Sequence, residues 1–291
     1  MIKFNIPVGQ RFLLFVCITL ICCLAGGFVA VLALGAGDTA SRVNIATVVQ
    51  DLMMFILPAV ATAMIITRRP ADFLQVSRRP DMISVLLVVV TLMVSVPVMN
   101  CIIDWNDNIR LPESMSGLEQ WLRASEDSAA EMIGVMMSGK SVMSLVVCVL
   151  TMGVLAGFSE EIFFRGGIQR LMTTARVNTH VAVWIAAVIF SAAHMQFYGF
   201  VPRMLLGAFF GYLAVWSGSL WLAVIAHAAN NIMACVSMWL VKNEYVSVDV
   251  NAIGVGDSAI YWPWIVLSAS LTIGFIGIIY RRNRYVLKRT D

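Results

Sequence analysis

Long apolar runs alternate with short polar breaks along this chain. Eight of the runs, at about 12–35, 47–67, 82–103, 148–172, 180–200, 203–217, 219–240 and 259–280, approach the ~20 residues that a helix needs to cross ~30 Å of hydrocarbon. The sixth is short. The expected fold class is all-α: a polytopic transmembrane helical bundle of about eight spans, with one amphipathic surface helix. The first run follows Lys3 and Arg11 and extends from Phe12 to about Gly35. That is longer than the ~7–15 residues of a signal-peptide core, and no A-x-A site follows, so it reads as an uncleaved span.

The segment Asp104 to Lys140 breaks the pattern. Glu113, Glu119, Glu126, Asp127 and Glu131 are set among Leu118, Trp121, Leu122, Met132, Ile133, Met136 and Met137. The spacings 118/121/122 and 132/133/136/137 follow the i, i+3, i+4 rule of an amphipathic helix, expected at the headgroups or capping the bundle. The chain therefore divides into N-terminal spans with this outer loop (1–147), a core (148–240), and a last span with a basic tail (241–291).

Composition narrows the class. The chain is 60% hydrophobic and 13% charged, against ~25% charge in soluble domains. A multi-pass membrane protein follows. Its basic residues gather at Lys3 and Arg11, at Arg68, Arg69, Arg78 and Arg79, and at Arg281, Arg282, Arg284, Lys288 and Arg289. An even number of spans puts all of these on one side, so both termini are expected in the cytoplasm. The C-terminus carries no eukaryotic retention signal, and a bacterial inner membrane is the expected location. No nucleic-acid motif occurs; the expected partners are the lipid bilayer and a membrane-associated peptide or protein. The sequence does not set the oligomeric state. Six cysteines lie in or beside apolar segments without C-x-x-C spacing, and are read as small hydrophobes rather than disulfides or metal ligands.

Chemistry enters where ionisable groups interrupt the apolar runs, since each costs at least ~2.5 kcal/mol to insert. Three motifs do so: Glu160-Glu161-x-x-x-Arg165, Phe190-x-x-x-His194 and His227-x-x-x-Asn231. Adjacent glutamates on a helix point ~100° apart and cannot share a task. Arg165 stands four residues after Glu161, the spacing of an ion pair on one face. Glu160 is left facing elsewhere, as a carboxylate able to take a proton from water and return it to a leaving amine. Counted at ~1.5 Å per residue from the span ends, Glu160, His194 and Asn231 fall ~18–21 Å deep and His227 ~12 Å. Three helices thus bring polar groups toward one level. His180 sits at a span end and reads as interfacial. Gly166-Gly167 and the Gly207-x-x-x-Gly211 pair suit close helix packing.

The ordered set of motifs resembles that of the CAAX prenyl protease and bacteriocin-processing (abortive-infection) family of intramembrane peptidases. The resemblance covers about Cys148 to Cys235. It implies that Glu160 and His194 activate a water, that His227 and Asn231 stabilise the oxyanion, and that Glu161, Arg165 and Phe190 support them. The expected activity is endopeptidase cleavage of membrane-associated peptides, with no obligatory cofactor. A zinc site on Glu160, His194 and His227, with water as fourth ligand, is the alternative these residues leave open. Two other classes use similar residues: a proton-coupled transporter, for which no inverted repeat is found, and a non-catalytic membrane partner or immunity protein on the same fold.

Overall fold

A computed structural model describes residues 6–33, 39–246, 253–255 and 262–290, with residues 33 and 285–290 described by their backbone alone. Lys3 and parts of the first and last expected spans (34–35 and 259–261) lie outside the described residues. The described chain is helical, with no β-strand among these residues. The elements are α1 (Val8–Ala33), α2 (Thr39–Ile66), α3 (Met82–Asp107), α4 (Ser116–Met136), α5 (Val142–Thr174), α6 (Thr179–Ala193), α7 (Phe200–Ser217), α8 (Leu220–Lys242) and α9 (Trp262–Thr290). Among the described residues, seven helices are long and apolar enough to cross a membrane, and α6 is a shorter apolar helix. The protein is an all-α, multi-pass integral membrane protein.

The apolar helices alternate in direction, as contacts at the two ends of the bundle record. At one end the loop after α2 meets the start of α8, through Leu220 N to Gln75 O at 2.9 Å and Trp221 Nε1 to Val76 O at 2.8 Å. The end of α5 joins them where Arg170 Nε donates to Phe73 O at 3.0 Å. The start of α3 meets α9 at the same end, where Arg282 Nη2 donates to Asp81 Oδ1 at 3.0 Å. At the other end Asn106 of α3 donates to Phe197 O and accepts from Val201 N. The arginine-rich loop and the end of α9 thus share one end of the bundle.

Two boundaries differ from the sequence reading. The fifth run does not continue to residue 200: α6 stops at Ala193, and the short helix is this one rather than the sixth. His194 caps it, with its Nδ1 on Phe190 O at 2.8 Å. Met195 then takes a left-handed backbone (φ 55°), which turns the chain toward α7. The fourth run starts at Val142 instead of residue 148 and continues unbroken to Thr174. Its first turn is capped by Ser141, whose Oγ accepts from Ser144 N.

The segment 104–140 forms the expected surface helix. Leu118, Trp121 and Met132 on α4 are exposed, while Met136 and Met137 at its end are buried. It is tied to the turn after α6, since Glu126 accepts from Tyr198 N at 2.8 Å and the Arg123 guanidinium lies 3.4 Å over the Tyr198 ring.

Small residues let the central helices approach. A Cβ on Gly157 of α5 would stand 2.9 Å from Ala228 N of α8, and one on Gly167 would stand 2.8 Å from the Phe15 ring of α1. The partner of the Gly207/Gly211 pair is α6, because a Cβ on Gly207 would lie 3.3 Å from Ala187 Cα and one on Gly211 would lie 3.0 Å from Val183. We expect Gly157→Val to destabilise the bundle by about 1–3 kcal/mol through overpacking. Gly274→Ala, where nothing lies within 4 Å of the added carbon, should leave the melting temperature in detergent unchanged.

The Asp81–Arg282 clamp gives a second expectation. The hydrogen bond from Arg282 holds the Asp81 carboxyl down to about 2, well below the usual carboxylate range. A carboxyl lowered on folding stabilises the folded state above its unfolded value, and that contribution fades as pH falls through the folded one. Acid titration of Asp81→Asn beside the wild type should show the difference between them shrinking from pH 4 toward pH 2.

Candidate active site

Three helices meet at Glu160. It lies on α5, His194 follows the last turn of α6, and His227 lies in the second turn of α8. Glu160 Oε2 is 3.8 Å from His194 Nε2 and 3.9 Å from His227 Nε2. Both separations are too long for a direct hydrogen bond, and Oε2 is buried with no hydrogen-bond partner. A water oxygen ~2.8 Å from the carboxylate and from either imidazole nitrogen fits these separations, because the three atoms close a triangle.

The outer nitrogens of both rings are fixed. His194 Nδ1 stands 2.8 Å from Phe190 O. A carbonyl only accepts, so Nδ1 carries the hydrogen and a neutral ring presents its lone pair from Nε2. His227 Nδ1 stands 2.9 Å from Glu161 Oε1, which assigns its Nδ1 hydrogen in the same way. Phe210 stacks on the His227 ring with centroids 4.9 Å apart, and Phe190 meets it edge-on at 5.6 Å.

The two glutamates therefore face different partners. Glu161 is fully buried and accepts from both Arg165 Nη1 (2.7 Å) and His227 Nδ1 (2.9 Å) on one oxygen. Arg165 is 1% exposed; its Nη2 donates to Gly207 O at 2.7 Å and its guanidinium lies 4.6 Å over Phe190. One turn later Gln169 donates to Gly211 O at 3.1 Å. The i, i+4 pair on α5 thus docks on the i, i+4 glycines of α7. The sequence pairs Glu161 with Arg165 only; the geometry adds His227 to that pair.

Asn231 lies one turn beyond His227. Its amide donates to Met152 O on α5 at 3.1 Å and its carbonyl oxygen accepts from Asn230. It therefore ties α8 to the stretch Val149–Leu155, which is wound as a wide π turn. A second π stretch, Ile162–Gln169, follows Glu161 directly; such turns recur at functional sites. His180 lies apart from the cluster, with its Nδ1 on Tyr212 OH.

One residue was missed. Asp51, on α2, is 2% exposed and accepts from Ser159 Oγ at 3.0 Å, immediately before Glu160. Its second oxygen is buried without a partner. The signal was present, because Asp51 is an acid inside an apolar run, the same feature that singled out Glu160.

Among the described residues, no group of three His, Cys, Asp or Glu side chains is arranged to hold a metal ion. The zinc alternative gains no support from this arrangement.

Residues 142–233 match the family model of Rce1-like type II CAAX prenyl endopeptidases. Glu160, Glu161, Arg165, Phe190, His194, His227 and Asn231 all fall inside this Rce1-like segment; Asp51 and the surface helix α4 fall outside it. No curated protein and no solved structure matches the chain.

The buried ion pair sets the expected cost of disturbing this site. Arg165→Ala leaves the Glu161 charge without its cation and should destabilise the protein by about 3–5 kcal/mol. The double variant Glu161→Gln/Arg165→Met removes both charges, and should melt above Arg165→Ala in the same detergent.

Proposed function

We propose that this protein is an intramembrane endopeptidase in which Glu160 activates a water against a peptide bond of a membrane-associated substrate. The convergence of two imidazole Nε2 atoms on one unpartnered carboxylate oxygen carries this reading, and the Rce1-like match supports it.

The chemistry follows from the hydrogen-bond partners. Glu160, with the neutral His194 Nε2 beside it, takes a proton from water as the water oxygen attacks the carbonyl carbon. Negative charge then develops on the carbonyl oxygen. A proton resident on His227 Nε2 before the attack donates to that oxygen and stays on the ring through the step, while the Glu161 carboxylate on Nδ1 balances the imidazolium charge. Asn231 is the second donor assigned to that oxygen. A preorganised donor of this kind contributes ~3–4 kcal/mol to the barrier. The tetrahedral intermediate collapses by breaking the C–N bond, and Glu160 returns its proton to the amine. His194 is the most accessible of the three, with 29% of its side chain exposed against 14% for Glu160 and 6% for His227, so substrate reaches the site from the side of the turn after α6. The basic end of the bundle is assigned to the cytoplasm by its arginines, in a bacterial-type inner membrane.

Purified wild-type protein in liposomes should cleave a lipopeptide or membrane-protein library. Glu160→Gln, His194→Ala and His227→Ala should each lower kcat/KM by at least ~100-fold, and Asn231→Ala by ~10- to 100-fold, with unchanged helical content. Activity should survive a chelator. Undiminished cleavage by folded Glu160→Gln would overturn the proposal.

A further inference from the structure

Arg203 is a cation beside the site that the mechanism does not use. It stands in the first turn of α7, half-buried, close enough that the charge of Glu160 acts on it and its own charge acts on His194. Its guanidinium is held in place: Nη2 donates to Gln196 Oε1 at 2.7 Å and Nη1 to Gln196 O at 3.4 Å. The bare backbone of Gly199 admits it, since a Cβ there would press on Nη2 at 3.0 Å.

These bonds use two of the five N–H donors of a guanidinium. Among the described residues no carboxylate stands within ion-pair distance of Arg203, whereas Arg165 in the same site has Glu161 at 2.7 Å. The charge of Glu126 reaches Arg203, but Glu126 is bound to Tyr198 N instead. Of the two arginines flanking the catalytic groups, one is therefore neutralised inside the protein and the other is left with a fixed, partly open fork. An arginine that merely snorkels to headgroups has no need of such a cradle.

We propose that Arg203 is the anion receptor of the substrate site, and that it binds a carboxylate carried by the peptide close to the scissile bond. A guanidinium fork matches a carboxylate in a planar, two-bond geometry. Gln196 follows His194 by two residues, so their Cα atoms are at most ~7 Å apart. An extended peptide covers that distance in about two residues, and the carboxylate belongs within roughly four residues of the bond that is cut. Its source is the chain terminus or an acidic side chain. This inference rests on the peptidase reading for the position of the scissile bond, but binding tests it separately.

The test uses the full-length protein in nanodiscs and fluorescent lipopeptides of one sequence. These carry a free C-terminal acid, a C-terminal amide, or an amide with Glu in place of Gln near the expected cleavage position. Affinity is measured on Glu160→Gln, which holds the peptide without turning it over, and the same peptides are assayed for cleavage by the wild type. The acid, or the Glu-containing amide, should bind at least ~10-fold more tightly than the neutral peptide; which of the two does so identifies the source. In Arg203→Gln that ratio should fall toward one, and Arg203→Lys should restore part of it. The neutral peptide's affinity for each variant serves as the control for folding. Equal binding of all three peptides overturns the receptor role even if cleavage is robust. Selective binding without cleavage supports Arg203 while removing the peptidase reading.

Discussion

The Glu161 carboxylate is the constraint on which the rest of the site depends. A charge with no access to water is tolerated only when it is paired and hydrogen-bonded, and a single oxygen of Glu161 holds both Arg165 and His227. Arg165 carries the tie onward to the Gly207 carbonyl and the Phe190 ring. One buried anion thereby links α5, α6, α7 and α8, and it fixes which nitrogen of His227 faces Glu160. The orientation of the imidazole and the registry of four helices are one and the same interaction.

Close backbone approach makes that link achievable. Gly157 brings α5 against α8 one turn before Glu160, and Gly207 opens a carbonyl to Arg165 that a side chain would cover. Without a hydrophobic driving force between helices in lipid, such contacts between small residues and inter-helical hydrogen bonds provide much of the association. The polar groups sit on helices or directly at a helix end, where packing sets their positions more sharply than a free loop can. Only His194 stands at an end, and it is also the most open to its surroundings.

Much of this was legible in the sequence. The apolar runs place each membrane helix, because hydrocarbon leaves the backbone no alternative to internal hydrogen bonding. The surface helix declared itself through its 118/121/122 spacing. Polar groups within apolar runs pointed to Glu160, His194 and His227, and the fold brings each imidazole within 4 Å of the Glu160 carboxylate. Less legible was whatever depends on a partner distant in sequence. The end of α6 at Ala193 is set by a side-chain cap and a left-handed Met195, neither of which alters hydropathy. The bond of His227 to Glu161 spans 66 residues, and local spacing showed only the Arg165 half of that network. Asp51 was legible by the same rule that found Glu160, yet it stands in a run without a recognised motif.

The central claim is a division of labour between adjacent carboxylates, Glu161 for architecture and Glu160 for chemistry. Turnover and melting temperature measured together for Glu160→Gln and Glu161→Gln test it most directly. Glu160→Gln should lose turnover while melting at or above the wild-type temperature, since it neutralises a buried oxygen that has no hydrogen-bond partner. Glu161→Gln should lose both. A Glu161→Gln protein that melts like the wild type, or a Glu160→Gln protein that unfolds before it can be assayed, would contradict the account.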